Sequence, residues 1–336
     1  MGRTTSCVKG RETAMPRDRK NPFKSVSYHF EPKETTVVLL TCIPTEEGYY
    51  ANRFDVLKLC LASLMKHTGL PYDLLVFDNG SVPAVVDFLR GLHAEGKIHY
   101  LMLSRRNIGY GAALNMAFAA APGKVIAYTD DDIFFYPDWL SEHLKVLETF
   151  PNVGVVSGQV VEGDGAISAV EKWIQNIPVS SELFPIPFEW TERWCRSLGL
   201  DPHGYTEKAR ERNFKTYLIS YQGLRVFSGA RGYAYTFKKE LLKIFPPLET
   251  DRLVGGSDAY WHQEIDRLGY LRLSTYRRLT DHIGNVVDDF WKQEAEKYGI
   301  PVEESTNGRV AIKSSRSDGL HHRFLRRVMS ECLKRL

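Results

Sequence analysis

Sulfur chemistry has little to work with in this chain. Its 336 residues include five cysteines, Cys7, Cys42, Cys60, Cys195 and Cys332, scattered with no C-x-x-C pair and no histidine at the spacing of a zinc site. An odd, unpaired set suits a reducing compartment and argues against a disulfide scaffold or a thiol redox centre. Long apolar runs are missing too. No stretch approaches the roughly 18 residues of a membrane span, and the N-terminus lacks the apolar core of a signal peptide, which together predict a cytoplasmic protein. Two phosphate-binding fingerprints are also absent. The first apolar run leads into Ile43-Pro44-Thr45-Glu46-Glu47-Gly48 instead of G-x-G-x-x-G, and no G-x-x-x-x-G-K-[ST] loop follows any strand. A nicotinamide dinucleotide enzyme and a P-loop kinase or NTPase are therefore disfavoured.

Charge is small in sum and uneven in place. The formal net charge is +3, with +5 in residues 1–24, +5 in residues 313–336 and −7 left for the body. An acidic body argues against a nucleic-acid groove and leaves the ends to meet acidic surfaces. Residues 1–33 are polar, basic and without periodicity, and read as a flexible arm. Residues 301–336 read as a basic amphipathic tail. There Leu320, Phe324, Leu325, Val328, Met329, Cys332, Leu333 and Leu336 recur at helical spacing between Arg323, Arg326, Arg327, Lys334 and Arg335. Such a helix suits peripheral contact with an anionic membrane, a homo-oligomer contact, or packing back on the body.

What is present is a 43% hydrophobic body with a regular alternation. Thr35 to Thr41 is a β-branched apolar run of the kind buried on both faces of a parallel sheet, and Asn52 to His67 carries apolar residues at helical spacing. Strands follow at Asp73–Phe77, Ile98–Leu103 and Val125–Tyr128, separated by helices over Val82–Leu92 and Gly111–Ala121. A helix at Leu140–Thr149 and a strand at Val153–Val161 continue the pattern. The predicted fold is α/β, a Rossmann-like and mostly parallel central sheet with helices on both faces. Residues 162 to about 224 break the alternation and are rich in aromatics, including Trp173, Phe184, Trp190, Trp194, Phe214 and Tyr221. They read either as a lid or acceptor platform or as a second small core.

The strand at Val125 runs directly into Asp130, Asp131 and Asp132. Three carboxylates at the carboxyl end of a buried strand repel one another unless a cation compensates, and oxygen ligands suit Mg²⁺ or Mn²⁺ together with ligand phosphates. The competing reading is an acidic strand-to-helix turn with one Asp as a helix cap. Other strand ends are polar as well: Thr41 to Pro44, Asp78 with Asn79, and Asn107 with Gly109 and Gly111. In a doubly wound sheet these ends share one edge, where a nucleotide sits, and glycines at a helix start let backbone amides approach phosphate.

With these residues in order, 35–162 resembles the nucleotide-sugar-binding half of an inverting GT-A glycosyltransferase of family 2. The resemblance is carried by Val37-Val38-Leu39-Leu40-Thr41-Cys42-Ile43-Pro44, Asn52-Arg53, Val76-Phe77-Asp78-Asn79-Gly80-Ser81, Asn107-Ile108-Gly109-Tyr110-Gly111, with Asn115 beyond, Tyr128-Thr129-Asp130-Asp131-Asp132 and Pro137-Asp138-Trp139-Leu140. It implies donor binding by Thr41, Ile43, Pro44, Asp78, Asn107, Gly109, Asn115, Asp130 and Asp131. In that scheme Thr41 and Ile43 line the base site, Asp78 reads the base, Asp130 meets the ribose and Asp132 the metal. An Asp130-Asp131 register is open too. It further implies a nucleotide-sugar donor, with UDP the commonest carrier in the family, and a saccharide or lipid-linked acceptor.

Residues 163–300 resemble the acceptor-binding and catalytic-base half less closely. The family's Glu-Asp pair before a Gly-Tyr falls on Ser257-Asp258, so the Glu is replaced and the Asp retained, implying Asp258 as the general base. Glu264 and Asp266, farther along, are expected on a solvated face, paired with Arg267 or Arg272. A histidine after the next strand, His282, resembles the ligand that closes the metal site in the fold, and a neutral imidazole suits Mn²⁺. Arg231 reads as either a phosphate contact or a salt-bridge partner. Two rival functions stand beside glycosyl transfer: a nucleotidyltransferase, and a non-catalytic nucleotide-sugar-binding protein, the latter motivated by Ser257.

Overall fold

Every residue of β1 (Thr35–Thr41) is buried, as a strand covered on both faces requires. The structure, a computed structural model, describes residue 27 and residues 30–160, 167–211, 215–250 and 257–302, with the backbone alone at 257–259. After β1 come α1 (Arg53–His67), β2 (Tyr72–Asn79), α2 (Pro83–Ala94), β3 (Tyr100–Ser104), α3 (Tyr110–Ala120), β4 (Val125–Asp130), β5 (Ile133–Phe135), α4 (Trp139–Thr149) and β6 (Val153–Ser157). The second half holds α5 (Ser168–Asn176), β7 (Ser180–Leu183), α6 (Phe188–Ser197), α7 (Pro202–Glu211), β8 (Tyr217–Tyr221), β9 (Leu224–Ser228), β10 (Ala234–Lys238), α8 (Ser257–Arg267), β11 (Leu271–Thr275), β12 (Thr280–His282) and α9 (Asp289–Lys297).

Among the described residues ten strands form one sheet in the order β3-β2-β1-β4-β10-β6-β11-β9-β8-β7. β1 pairs in parallel with β2 and β4, and β2 with β3, which is the βαβ half expected from the alternation. Beyond β4 the sheet is mixed. β10 runs antiparallel to β4 and β6, β6 is parallel to β11, and β9, β8 and β7 continue antiparallel to the edge. β10 comes from over 100 positions downstream of the strand it pairs with (Tyr235 opposite Tyr128), so no local periodicity announces it.

Strand pleating sorts the core into two faces. Val37 and Leu39 pack with Val56, Leu57, Cys60, Leu61 and Leu64 of α1 and with Trp291 of α9. Val38 and Leu40 pack on the other face with Ala113, Leu114 and Phe118 of α3 and Trp261 of α8. Trp261 is 1% exposed and donates through Nε1 to the Pro246 carbonyl at 2.9 Å. Truncating a ring so placed costs roughly 3–5 kcal/mol.

The aromatics of the irregular region mostly pack against one another. Trp173 and Tyr221 meet Phe150, Phe184 and Trp190 meet Phe227, and Trp194 meets Tyr205. Phe214, most of the N-terminal arm and the tail from residue 303 lie outside the described residues. No helix among the described residues is long and apolar enough to cross a membrane.

Candidate active site

The chain leaves β1 for β2 and β3 on one side and returns to β4 on the other, so the carboxyl ends of β1 and β4 flank the crevice where an open α/β sheet takes its ligand. Thr41 and Asp130 occupy those ends, and Asp78 is the register partner of Thr41 on β2.

The aspartate triplet divides by direction. Pleating puts Asp130 on the face of Tyr128, whose hydroxyl donates to Asp130 Oδ1. Asp131 turns the other way and accepts from Thr41 Oγ1 at 2.6 Å and from Arg53 Nη2. Asp132 Oδ2 accepts from Arg53 Nη1 at 2.6 Å and lies 3.2 Å from His282 Nε2. The other oxygen of Asp132, Oδ1, is buried with no hydrogen-bond partner among the described residues. Asp131 thus has both oxygens occupied inside the protein, which leaves Oδ1 of Asp132 with capacity for a ligand.

Burial pushes the Asp131 carboxyl up, with Arg53 opposing. Burial acts on Asp132 in the same sense, but His282 and Arg53 outweigh it and hold that carboxyl well below the usual carboxylate range. For Arg53 burial opposes the charge, and the two carboxylates more than restore it. Arg53 and His282 are thus the groups set against the two buried carboxylates, and the orphaned Asp132 oxygen lies beside them. His282 arrives there by strand pairing: β12 runs antiparallel to β5 with His282 opposite Ile133, and Ile283 N donates to the Asp132 carbonyl at 2.7 Å. Its Nδ1 lies 2.8 Å from Ser197 Oγ of α6, so both ring nitrogens are engaged.

On the β1–β2 side, Ile43 is buried and its backbone is pinned by Ser81 Oγ, 2.9 Å from Ile43 N, and by Val82 N, 2.9 Å from Ile43 O. Pro44 is exposed at the rim. Asp78 is fully buried, its carboxyl pushed up by burial, and Ser81 N lies 3.3 Å from each of its oxygens. Burial, helped by Asp131 and Asp78, pushes the Cys42 thiol up to about 11, so it stays protonated and makes a poor nucleophile.

Three donor-site candidates are tied to the protein itself. Asn107 Oδ1 accepts from Gly109 N at 2.8 Å and from Asn79 Nδ2 at 3.1 Å, bracing the loop before α3. Gly109, at φ 93°, is the cap of that helix. Asn115 exchanges two hydrogen bonds with the backbone of Leu248, at 2.9 and 3.0 Å, and is joined to that segment instead of to the strand ends. The close approach expected of Gly111 is likewise internal, since an added Cβ would stand 1.9 Å from the Glu249 carbonyl oxygen.

Helix α8 starts at Ser257, with Asp258 its second residue; the Asp258 side chain lies outside the described residues. Glu264 pairs with Arg267 at 2.8 Å as expected. Asp266 corrects the expectation of a solvated face. It is 5% exposed and accepts from Ser168 Oγ and from Ala169 N at 3.1 Å, capping α5 from a neighbouring helix. The Arg231 guanidinium stacks 4.1 Å over Trp194.

Two features escaped sequence reasoning. One is Arg53 as the internal cation. The other is Asp281, fully buried, which pairs with Arg193 at 2.6 Å and with Arg278, and accepts from Tyr136 at 3.0 Å and Gln159 at 3.1 Å. This cluster ties β12, and so His282, to α6.

Residues 50–193 match the family model "Glycosyl transferase family 2". An uncharacterized protein of Sinorhizobium fredii is 30% identical over 139 residues, 40% of this chain and 15% of that protein. An uncharacterized glycosyltransferase of Nostoc sp. is 26% identical over 146 residues, 43% of this chain and 45% of that one. The chain therefore spans less than half the length of these curated relatives. Among solved structures, mannosyltransferase PcManGT from Pyrobaculum calidifontis, in complex with GDP-Man and Mn2+, is 18% identical, with 76% of this chain and 59% of that chain covered and a TM-score of 0.44. The stretch that matches the family model takes in α1, β2, β3 and β4 and the aspartate triplet at the strand end.

Proposed function

We propose that the protein transfers a sugar from a nucleoside-diphosphate sugar to an acceptor hydroxyl with inversion at the anomeric carbon. The observation that carries this reading is the gathering of Asp78, Thr41, Asp130 and Asp132 at one edge of the sheet, at the point where strand order reverses. Asp78 is proposed to accept from a nucleobase donor group and Asp130 from ribose hydroxyls. UDP is the carrier to test first.

A divalent cation, Mn²⁺ or Mg²⁺, fits the residues present. Asp132 offers an unsatisfied buried oxygen, and His282 a nitrogen beside it. No three His, Cys, Asp or Glu side chains among the described residues converge on one point, so Asp132 and His282 would hold the ion and phosphate or water would complete its shell. When bound, such an ion neutralises charge that builds on the departing diphosphate.

The chain's own residues do the rest. Arg53 and Thr41 fix Asp131 and so the turn that carries Asp132. Asp258 is proposed to take the acceptor proton as the acceptor oxygen bonds to the anomeric carbon from the face opposite the diphosphate, whose bond breaks with the electron pair leaving on phosphate. Residues 163–300 are proposed to hold the acceptor. A thermal-shift series with UDP, GDP, CDP and ADP, with and without Mn²⁺, tests the reading on the intact chain and on Asp132→Asn. Metal-dependent stabilisation by one diphosphate that disappears in Asp132→Asn is expected; no response to any of them rejects the donor site.

A further inference from the structure

Three links meet at Tyr233, one position before β10. Its carbonyl accepts from Asp130 N at 2.8 Å, at the strand end that carries the aspartate triplet. Its ring packs on the His282 imidazole, with ring centres 5.5 Å apart and planes inclined by 54°. Its hydroxyl donates to Gln159 Oε1. We infer that Tyr233, held by Gln159, is a positioning residue that keeps the His282 imidazole in line with Asp132, an inference that rests on the reading of Asp132 and His282 as the residues that would hold the cation.

Two polar contacts leave the imidazole a freedom that a third contact must remove. Nε2 lies 3.2 Å from Asp132 Oδ2, and Nδ1 lies 2.8 Å from Ser197 Oγ. A ring anchored only at its nitrogens can still rock about the line between them, and a second ring packed against it blocks that motion. Tyr233 can do so only if its own ring is fixed, which is the part Gln159 plays. Gln159 is 1% exposed and its amide has one orientation, because Nε2 donates to Asp281 Oδ1 at 3.1 Å and a carboxylate paired with Arg193 and Arg278 can only accept. Oε1 is thereby turned to the Tyr233 hydroxyl. Since Asp281 adjoins His282 in the chain, the contacts close into a circuit from Tyr233 to Gln159, from Gln159 to Asp281, and from His282 back to Tyr233. The Arg231 guanidinium, 5.4 Å from the Tyr233 ring centre and 4.1 Å over Trp194, ties the same ring to α6. A buried hydrogen-bond chain of this kind rigidifies what it holds, and removing one member strands the polar atom of the next.

The test reads the histidine and the cation separately, on the intact chain. With ¹⁵N-labelled histidine and no metal present, NMR follows the imidazole nitrogens of His282, identified as the signals lost in His282→Gln. Calorimetry then measures Mn²⁺ binding in the presence of UDP and of GDP. Tyr233→Phe keeps the ring and removes the donor to Gln159, Gln159→Met removes the acceptor at similar volume, and Tyr233→Leu removes the ring. Tyr217→Phe is the control, since it loses a hydrogen bond of the same kind, to Glu171 at 3.2 Å, between β8 and α5. The His282 signals should shift or broaden in Tyr233→Phe and Gln159→Met, and Mn²⁺ affinity should fall about tenfold in both and toward a hundredfold in Tyr233→Leu. Tyr217→Phe should match the native protein in both measurements. A purely structural role would lower the urea midpoint of the Tyr233 and Gln159 variants and leave the His282 signals and the Mn²⁺ affinity at native values. That result overturns the inference, as does a Tyr217→Phe that changes them equally. A native protein that takes up no Mn²⁺ removes the donor reading, while His282 signals that still move in Tyr233→Phe uphold the link from Tyr233 to the imidazole.

Discussion

Arg53 and Asp131, 78 residues apart in the chain, meet in a buried ion pair at the carboxyl edge of the sheet. Arg53 lies on the stripe of α1 that also buries Val56, Leu57, Cys60 and Leu64, so the helix carries its cation into the core. A second contact reaches Asp132 at 2.6 Å. The protein thus contains its own counter-ion for a cluster that Coulomb repulsion would otherwise open.

Arg53→Met removes that counter-ion and strands two carboxylates. Breaking a buried pair from one side costs about 3–5 kcal/mol, far above the worth of an exposed bridge. The urea midpoint in chelator should fall accordingly, and Arg53→Lys should recover only part, because a single ammonium cannot span both carboxylates as the guanidinium fork does. Added Mn²⁺ should restore more stability to Arg53→Met than to the native protein. Equal midpoints for all three proteins would show that the pair does not hold the triplet.

The Asp281 cluster yields a graded series. Asp281→Asn leaves the Arg193 and Arg278 guanidinia without their carboxylate and should cost about 3–5 kcal/mol in urea unfolding. Arg193→Met should cost less, about 1 kcal/mol, because the Arg193 side chain is 38% exposed and Asp281 keeps Arg278, Tyr136 and Gln159. The reverse ranking would place the main support of β12 elsewhere.

Much of this site is legible in the amino-acid sequence. Continuous apolar runs and helical patterns locate β1 through β4 and their helices because each is a local signal, and the polar strand ends follow from where those runs stop. Arg53 is legible in principle: helical spacing from Val56, Leu57 and Cys60 puts position 53 on the buried stripe, and a buried arginine demands acids. Asn115 and Gly111 are not, since their partners at Leu248 and Glu249 lie over 130 positions downstream and carry no pattern of their own. Nor is β10, whose insertion between β4 and β6 is a choice of topology. Asp266 misleads because its spacing from Arg267 and Glu264 suits a solvated face, while the helix end it caps belongs to α5.

Two buried histidines set an acid-side limit on stability. His143 and His262 are 1% and 2% exposed, and burial pushes each down to about 3. In the unfolded chain both titrate near about 6.5. Between these values the unfolded state binds protons that the folded state refuses, so stability is complete above about 6.5 and is lost as pH falls toward 3. At pH 5 the loss is about 2 kcal/mol for each histidine. His143→Gln, which retains a hydrogen-bonding group for Thr236 Oγ1, 2.8 Å from His143 Nδ1, should reduce the slope between pH 6.5 and 5 by about half. An unchanged slope would mean that His143 protonates without unfolding.

Gly284 joins the two walls of the His282 region, and its substitution separates strain from contact. Its φ is +88°, and an added Cβ would stand 2.5 Å from the Ser197 carbonyl oxygen, at the end of α6 that also holds His282 Nδ1. Gly223, in the two-residue turn of the β8–β9 hairpin, has a similar φ of +81° but nothing within 4 Å of an added Cβ. Gly223→Ala therefore incurs backbone strain alone, about 1 kcal/mol. Gly284→Ala adds a clash with backbone that can be relieved only by moving α6 away from His282, and should cost about 3 kcal/mol. The same displacement loosens the histidine, so Gly284→Ala should weaken Mn²⁺ binding, measured by calorimetry, by about tenfold while Gly223→Ala leaves it unchanged. If the two variants lose equal stability and keep equal metal affinity, Ser197 does not fix the position of His282.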